Sequence, residues 1–385
     1  MLVLRGGTVV DATGAREADV AVEDGEIVAV GDVPDDPDEI LDATGQFVAP
    51  GLVDAHVHLM MDGRPDPATI NDDSESMLAY RAAGNLEDAL HAGVTTVRDL
   101  GAPGTLALDA AAAVEEGVID GPRVLACGEN VVMTGGHGHW FGREADGVPE
   151  VKKAVREQLK RGADVVKCMA TGGVLTEGAL TGAPELDEEE LETLVSAASA
   201  KRVPTAAHAH GAAGIKNAVR AGISSIEHGT FMDREAAELM ADRGTYWVPT
   251  GKALFGIIDA GVEAGVPEFA VEKSEAAAES WAKSFDHALD AGVPIAMGTD
   301  AGTPFNFHAD AAEELELMVE HGLTPEHALA AATVNSADLL GLDDEVGRVA
   351  EDYRADLVVL DDDPVADVTA WQSPTNVVAR GTVVR

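Results

Sequence analysis

Phe47-Val48-Ala49-Pro50-Gly51-Leu52-Val53-Asp54-Ala55-His56-Val57-His58-Leu59 is the stretch on which the reading of this chain turns. It predicts a strand, Leu52–His58, after the Pro50-Gly51 break. Residues i and i+2 of a strand project from the same face. The two imidazoles therefore converge on one point, and Val57 turns the other way into apolar packing. Two neutral imidazoles side by side form half of a site for zinc or a similar ion. Two polar residues at a strand end would look the same in isolation, so the other strands must decide.

Outward from this stretch the chain changes character. The first fifty residues carry short strand-like runs punctuated by Gly, Asp and Pro: Leu2–Leu4, Gly6–Val10, Asp19–Glu23 and Ile27–Val30. Asp356–Leu360 and Val377–Val384 at the other end are of the same kind. A small β-sandwich domain built from both termini is predicted, residues 1–50 plus 351–385. Between them strand-like runs alternate with helical ones. The strand candidates are Leu52–His58, Val94–Asp99, Arg123–Cys127, Asp164–Met169, Pro204–His208, Ser224–His228, Thr245–Pro249 and Pro294–Asp300. Helical candidates include Glu75–His91, Glu150–Lys160, Glu188–Ala200, Ala212–Ala221, Arg234–Arg243 and Val271–Ala291. Links such as Ala221-Gly222 end helices as left-handed caps would. An α/β fold is predicted, with residues 51–350 forming a (β/α)8 TIM-like barrel.

Such a barrel keeps its chemistry at the C-terminal ends of its strands. His56 and His58 end the first candidate strand, Lys167 the fourth, His208 the fifth, His228 the sixth and Asp300 the eighth. Scattered surface residues would not fall this way. Lys167 lies inside an apolar run, Asp164-Val165-Val166-Lys167-Cys168-Met169. Burial of an ammonium favours the neutral amine. A neutral lysine amine reacts with carbon dioxide to give a carbamate, whose two oxygens and single negative charge suit it to bridge two cations. A lysine whose stem packs while its head reaches water is the plainer alternative. The four histidines and the aspartate favour the carbamate, N6-carboxylysine.

The order HxH, Lys, His, His, Asp on successive strand ends resembles the amidohydrolase superfamily in its binuclear, carboxylated-lysine form. Pro50–His58 looks like that superfamily's opening motif, and Gly347–Leu360 like its return into the β-sandwich. Thr333–Ala337 resembles its last helix. Gly93–Asp99, Gly135-Gly136-His137-Gly138 and Ser225–Thr230 are similar to one branch of it, which holds imidazolonepropionase-related proteins, metal-dependent prolidases and dipeptidases. A Tyr that often follows the last of these stretches and helps hold the substrate carboxylate is replaced here by Phe231.

The resemblance implies a metal-dependent hydrolase of an amide C–N bond. His56, His58 and Asp300 would hold one divalent ion, zinc by preference, and His208 and His228 a second. Carboxylated Lys167 and a hydroxide would bridge the two. Asp300 would be the catalytic acid and base. His210, two residues beyond His208, could face the same way, so either could be the ligand; His208 directly follows the apolar strand and is preferred, leaving His210 to touch substrate. His137, in a Gly-rich loop, is a candidate substrate contact, and His139 a weaker one. Arg98 either binds the same substrate anion or pairs with Asp99. The substrate would be a dipeptide or N-acyl amino acid. A cyclic amidohydrolase and a mononuclear deaminase of the same superfamily are the alternatives, and Lys167 speaks against the second.

The 385 residues carry a net charge of −43 with 26 basic residues. Such a surface repels nucleic acid and anionic membranes. High ionic strength relieves its self-repulsion, so the cytoplasm of a salt-accumulating organism is the expected setting. The chain shows no apolar run long enough for a bilayer and no leader-like N-terminus. Cys127 and Cys168 form no framework. A homo-oligomer is expected from the resemblance alone.

Overall fold

The computed structural model describes residues 1–385. Its N-terminal strands build two sheets. One has four strands in the order Glu26–Gly31, Asp19–Glu23, Leu2–Arg5, Glu39–Asp42. The other has six and mixes the termini: Thr382–Val383, Asn376–Ala379, Leu357–Leu360, Phe47–Pro50, Thr8–Asp11, Gly14–Glu17. Leu357–Leu360 runs antiparallel to Phe47–Pro50, with Val358 opposite Ala49. Strand alternation then divides the work. Leu357 and Val359 join Leu4, Val22 and Val48 in a core shared by the terminal strands, whereas Val358 and Leu360 join the large central core.

The central strands are parallel. Arg123–Ala126, Val94–Asp99 and Leu52–Val57 form one sheet. The second sheet includes Val166–Met169, Thr205–Gly211, Ser225–Phe231 and Tyr246–Val248 in that order. Helices separate most of them. Glu188–Ser199 begins with a capping box of Asp187 and Glu190, which satisfies backbone donors reciprocally. Gly162, Gly222, Gly244 and Gly292 each end a helix in the left-handed region, where a side chain would be strained.

Pro294–Asp300, expected as a strand, forms no continuous ladder and only bridges its neighbours. The Trp247 amide donates to the Pro294 carbonyl at 2.9 Å, and the Asp300 amide to the His56 carbonyl at 2.7 Å. The ladder is broken because other partners take its remaining groups. The Met297 amide donates to the Ala331 carbonyl at 3.0 Å, Asn335 Nδ2 donates to the Ile295 carbonyl at 2.8 Å, and the Thr299 amide donates to Asp54 Oδ1 at 3.1 Å. Ala331–Asn335 is a π-helical turn. Gly298 permits the approach, since a Cβ there would lie 2.8 Å from the Cβ of His56. At the far edge, the Asp164 amide donates to the Ala126 carbonyl at 2.9 Å and links the two parallel sheets.

Candidate active site

Six of the expected residues meet in one cavity. His56, His58, Lys167, His208, His228 and Asp300 all line it, together with His137 and His210. The ligand atoms form two triplets, His56 with His58 and Asp300, and His208 with His210 and His228, each within 4.8 Å. Nε2 of His56 and of His58 each lie 3.3 Å from Asp300 Oδ1. Asp300 Oδ1 and the Nε2 atoms of His208 and His210 are buried with no hydrogen-bond partner. Unpaired buried polar atoms are costly, and such atoms occur in both triplets, whose imidazole nitrogens and carboxylate oxygen are donor types that fit divalent cations.

The rings are held from behind. His58 Nδ1 lies 2.9 Å from the Gly101 carbonyl, and His56 Nδ1 2.9 Å from Glu227 Oε2. His228 Nδ1 meets Thr250 Oγ1 at 2.7 Å, and His210 Nδ1 meets Thr230 Oγ1 at 2.6 Å. Each bond leaves Nε2 free to face the cavity, the arrangement that orients metal-binding imidazoles. His228, Thr250 and Asp300 have φ of 69°, 50° and 58°. Left-handed backbone at non-glycine residues stores strain, and such strain collects at functional sites.

Burial and charge set the protonation states. Burial, joined by the charge of Lys167, lowers His56 to about 4, and burial lowers His210 to about 4. Burial and neighbouring imidazoles hold His208 and His228 well below the ordinary range. All four are neutral near pH 7, as a ligand must be. Burial also lowers Lys167, against the pull of Glu227 and Asp300.

Arg98 departs from expectation. It is 1% exposed and does not line the cavity. Its Nε donates to the Ala55 carbonyl at 2.6 Å and its Nη2 to Glu227 Oε1 at 3.1 Å. It therefore pairs with Glu227 rather than with a substrate anion or Asp99, and its role is to fix the carboxylate behind His56. Burial alone would raise Glu227, but Arg98 and His56 hold it at about 2. His139 is exposed and outside the cavity. Gly138 has φ of 68°, and that turn sends His139 back to the Gly136 carbonyl at 2.9 Å. His137 stays inside, its Nδ1 2.9 Å from Thr176 Oγ1.

Glu227, Asp54, Thr230 and Thr250 were not foreseen as parts of the site. Asp54 accepts from Thr299 Oγ1 at 2.6 Å and from the His56 amide at 3.1 Å. Burial raises it to about 6. The one signal within the sequence was position: Asp54 lies two residues before His56, and Glu227 immediately before His228.

The Amidohydrolase family model matches residues 47–384. Ochratoxinase of Aspergillus niger is 32% identical over 94% of this chain and 81% of its own length. A Xaa-Pro dipeptidase with methionine bound in its active site superposes with a TM-score of 0.94 at 31% identity, covering 100% of this chain and 99% of that one. A prolidase complexed with N-methylphosphonate-L-proline gives a TM-score of 0.93 at 31% identity, over 100% and 99% of the two chains. The chain belongs to the amidohydrolase family.

Proposed function

We propose that this chain hydrolyses the amide C–N bond of a small molecule, a dipeptide or an N-acyl amino acid, with the help of two divalent ions, zinc by preference. The observation that carries the proposal is the pair of ligand triplets with unpartnered buried atoms, sharing one cavity with Lys167. The ochratoxinase, dipeptidase and prolidase relatives support it. We also infer that the two parallel sheets and the 294–301 segment close one (β/α)8 barrel, residues 51–350, beside a terminal β-sandwich of 1–50 and 351–385. The hydrogen bonds at both sheet edges support this.

His56, His58 and Asp300 would hold one ion, and His208 and His228 the other. His210 would point its Nε2 at the substrate. Lys167, neutral through burial, would add its Nζ to carbon dioxide, forming an N–C bond and releasing a proton. The resulting carbamate anion would serve both ions. Bound ions lower the pKa of water toward neutrality and polarise a scissile carbonyl. Asp300 then accepts the proton of the attacking water at its carboxylate and delivers it to the leaving amine nitrogen. Glu227 keeps the His56 ring oriented while this happens.

No helix is long and apolar enough to cross a membrane. A cytoplasmic enzyme of a salt-accumulating cell, assembled as a homo-oligomer, is the setting inferred from charge and resemblance.

Metal analysis, with a high-salt screen of Xaa-Pro, Xaa-Arg and N-acyl amino acids, tests the proposal. Two ions per chain and cleavage of at least one class are expected. Asp300→Asn should lower kcat by about a thousandfold or more with metal still bound. One ion per chain without amide cleavage overturns it, as does substantial turnover by Asp300→Asn.

A further inference from the structure

The same cavity has a second face. Away from the histidines its wall is apolar: Trp140, Phe141, Leu175, Leu254, Ile257 and Trp281. Four separate segments supply it, namely the loops after the third and fourth strands and the helices Gly251–Ala260 and Glu268–Ala291. Leu175 and Val174 pack against a cluster that contains Ile257 and Val271. Histidines aside, Lys167 and Asp300 are the charged residues of the lining, and both belong to the polar floor. The hydroxyls nearby are engaged: Thr230 with His210, Thr250 with His228, and Thr303 Oγ1 with the Asp300 carbonyl at 2.8 Å. A charged side chain entering here would lose its water and find no partner. An apolar one would gain from burial.

The wall is also fixed in place. Lys273 Nζ donates to three carbonyls of one loop, Gly173 at 3.3 Å, Thr176 at 2.9 Å and Ala179 at 2.8 Å. Thr176 Oγ1 ties that loop to His137, and Gly173 lies so close that a Cβ there would meet the His137 ring at 2.5 Å.

We propose that this wall is a side-chain subsite that selects substrates with a bulky, uncharged apolar group, and that Lys273 is a positioning residue that holds Val174 and Leu175 against Ile257. The proposal rests on the amide-hydrolase reading above and narrows it, setting aside substrates with Arg, Lys, Asp or Glu side chains at this position.

Two substrate series test it, X-Pro and N-acetyl-X, with X as Leu, Met or Phe against Lys, Arg, Asp or Glu. They place the side chain on either side of the scissile bond. In whichever series is cleaved, kcat/KM should favour apolar X by at least about thirtyfold. Equal or faster cleavage of charged X overturns the subsite while leaving the hydrolase intact. Calorimetric binding of the same compounds to metal-loaded Asp300→Asn gives a readout free of turnover. A preference of at least about tenfold for apolar X supports the subsite even if the hydrolase reading fails, and no preference overturns it. Leu175→Glu, in a partly exposed loop position, should raise kcat/KM for X as Lys about tenfold. No gain with an unchanged Tm counts against the wall. Lys273→Met should raise KM for apolar X with kcat within about twofold, and Lys273→Arg should restore it. An unchanged KM in Lys273→Met overturns the positioning role.

Discussion

The two histidine triplets are built from like rings but stand in unlike surroundings. The His56 triplet contains its own carboxylate, Asp300, and has a second, Glu227, behind His56 with Arg98 paired to it. The His208 triplet contains no acid, and two of its rings, His210 and His228, rest on the neutral hydroxyls of Thr230 and Thr250. A cation at the first would meet negative charge already in place; a cation at the second would meet only neutral nitrogens. In the proposed reading, this difference gives the buried lysine its purpose. As an ammonium, Lys167 would repel ions from both triplets; as a carbamate it would give the second the anion it lacks.

Lys167 is therefore the position at which the contrast breaks most completely. Lys167→Ala should reduce metal from two ions per chain to one and lower kcat/KM by at least about a hundredfold. Millimolar propionate should return part of both, read by elemental analysis and steady-state kinetics. Two ions retained in Lys167→Ala would show that the second triplet needs no added charge.

Next in size is the pair Glu227→Gln and Thr250→Val. The first should cost about ten- to a hundredfold in metal affinity or activity. It should also lower stability by about 3–5 kcal/mol, because Arg98 is left buried without its partner. The second removes a neutral bond and should cost about 1 kcal/mol. Chelator competition and thermal melts on both variants measure the asymmetry, and equal losses would erase it.

The smallest effect on catalysis belongs to Glu314. It accepts from the amides of Gly251 and Lys252 at 2.9 and 2.7 Å, next to Thr250. Burial raises it from 4.5 to about 8, against those two bonds. Between these values the unfolded chain has lost the proton and the folded chain keeps it, so stability falls as pH rises. Glu314→Gln should flatten that fall by a few kcal/mol and leave kcat within about twofold. Denaturant melts from pH 5 to 8 measure it, and parallel curves for the two proteins would refute the raised pKa.

The candidate residues stood out because His, Lys and Asp fall within or directly after apolar strand-like runs, although the observed strands continue past Lys167, His208 and His228 to Met169, Gly211 and Phe231. His56, His58, Lys167, His208, His228 and Asp300 were proposed on that ground, and the structure places them around one cavity. The partners behind them were hidden for a different reason. Arg98 and Glu227 are 129 residues apart, and nothing local in either strand announces the other. Pro294–Asp300 has a strand's composition, but part of its hydrogen bonding goes to a helix turn and a side chain, which composition does not record. His139 resembled His137 until the left-handed Gly138 turned it outward. Helix limits were clearer where caps are written in the sequence, as at Asp187 and Gly222.

The borrowed hydrogen bonds of the 294–301 segment also set an order of events during synthesis. Asp54 waits for Thr299 across 245 residues, and Met297 and Ile295 wait further for Ala331 and Asn335. A chain emerging from the ribosome can gather its histidines well before it can seat Asp300. Asp300 is therefore the last of the two triplets' residues to arrive, and an unfinished chain holds their nitrogens without this acid.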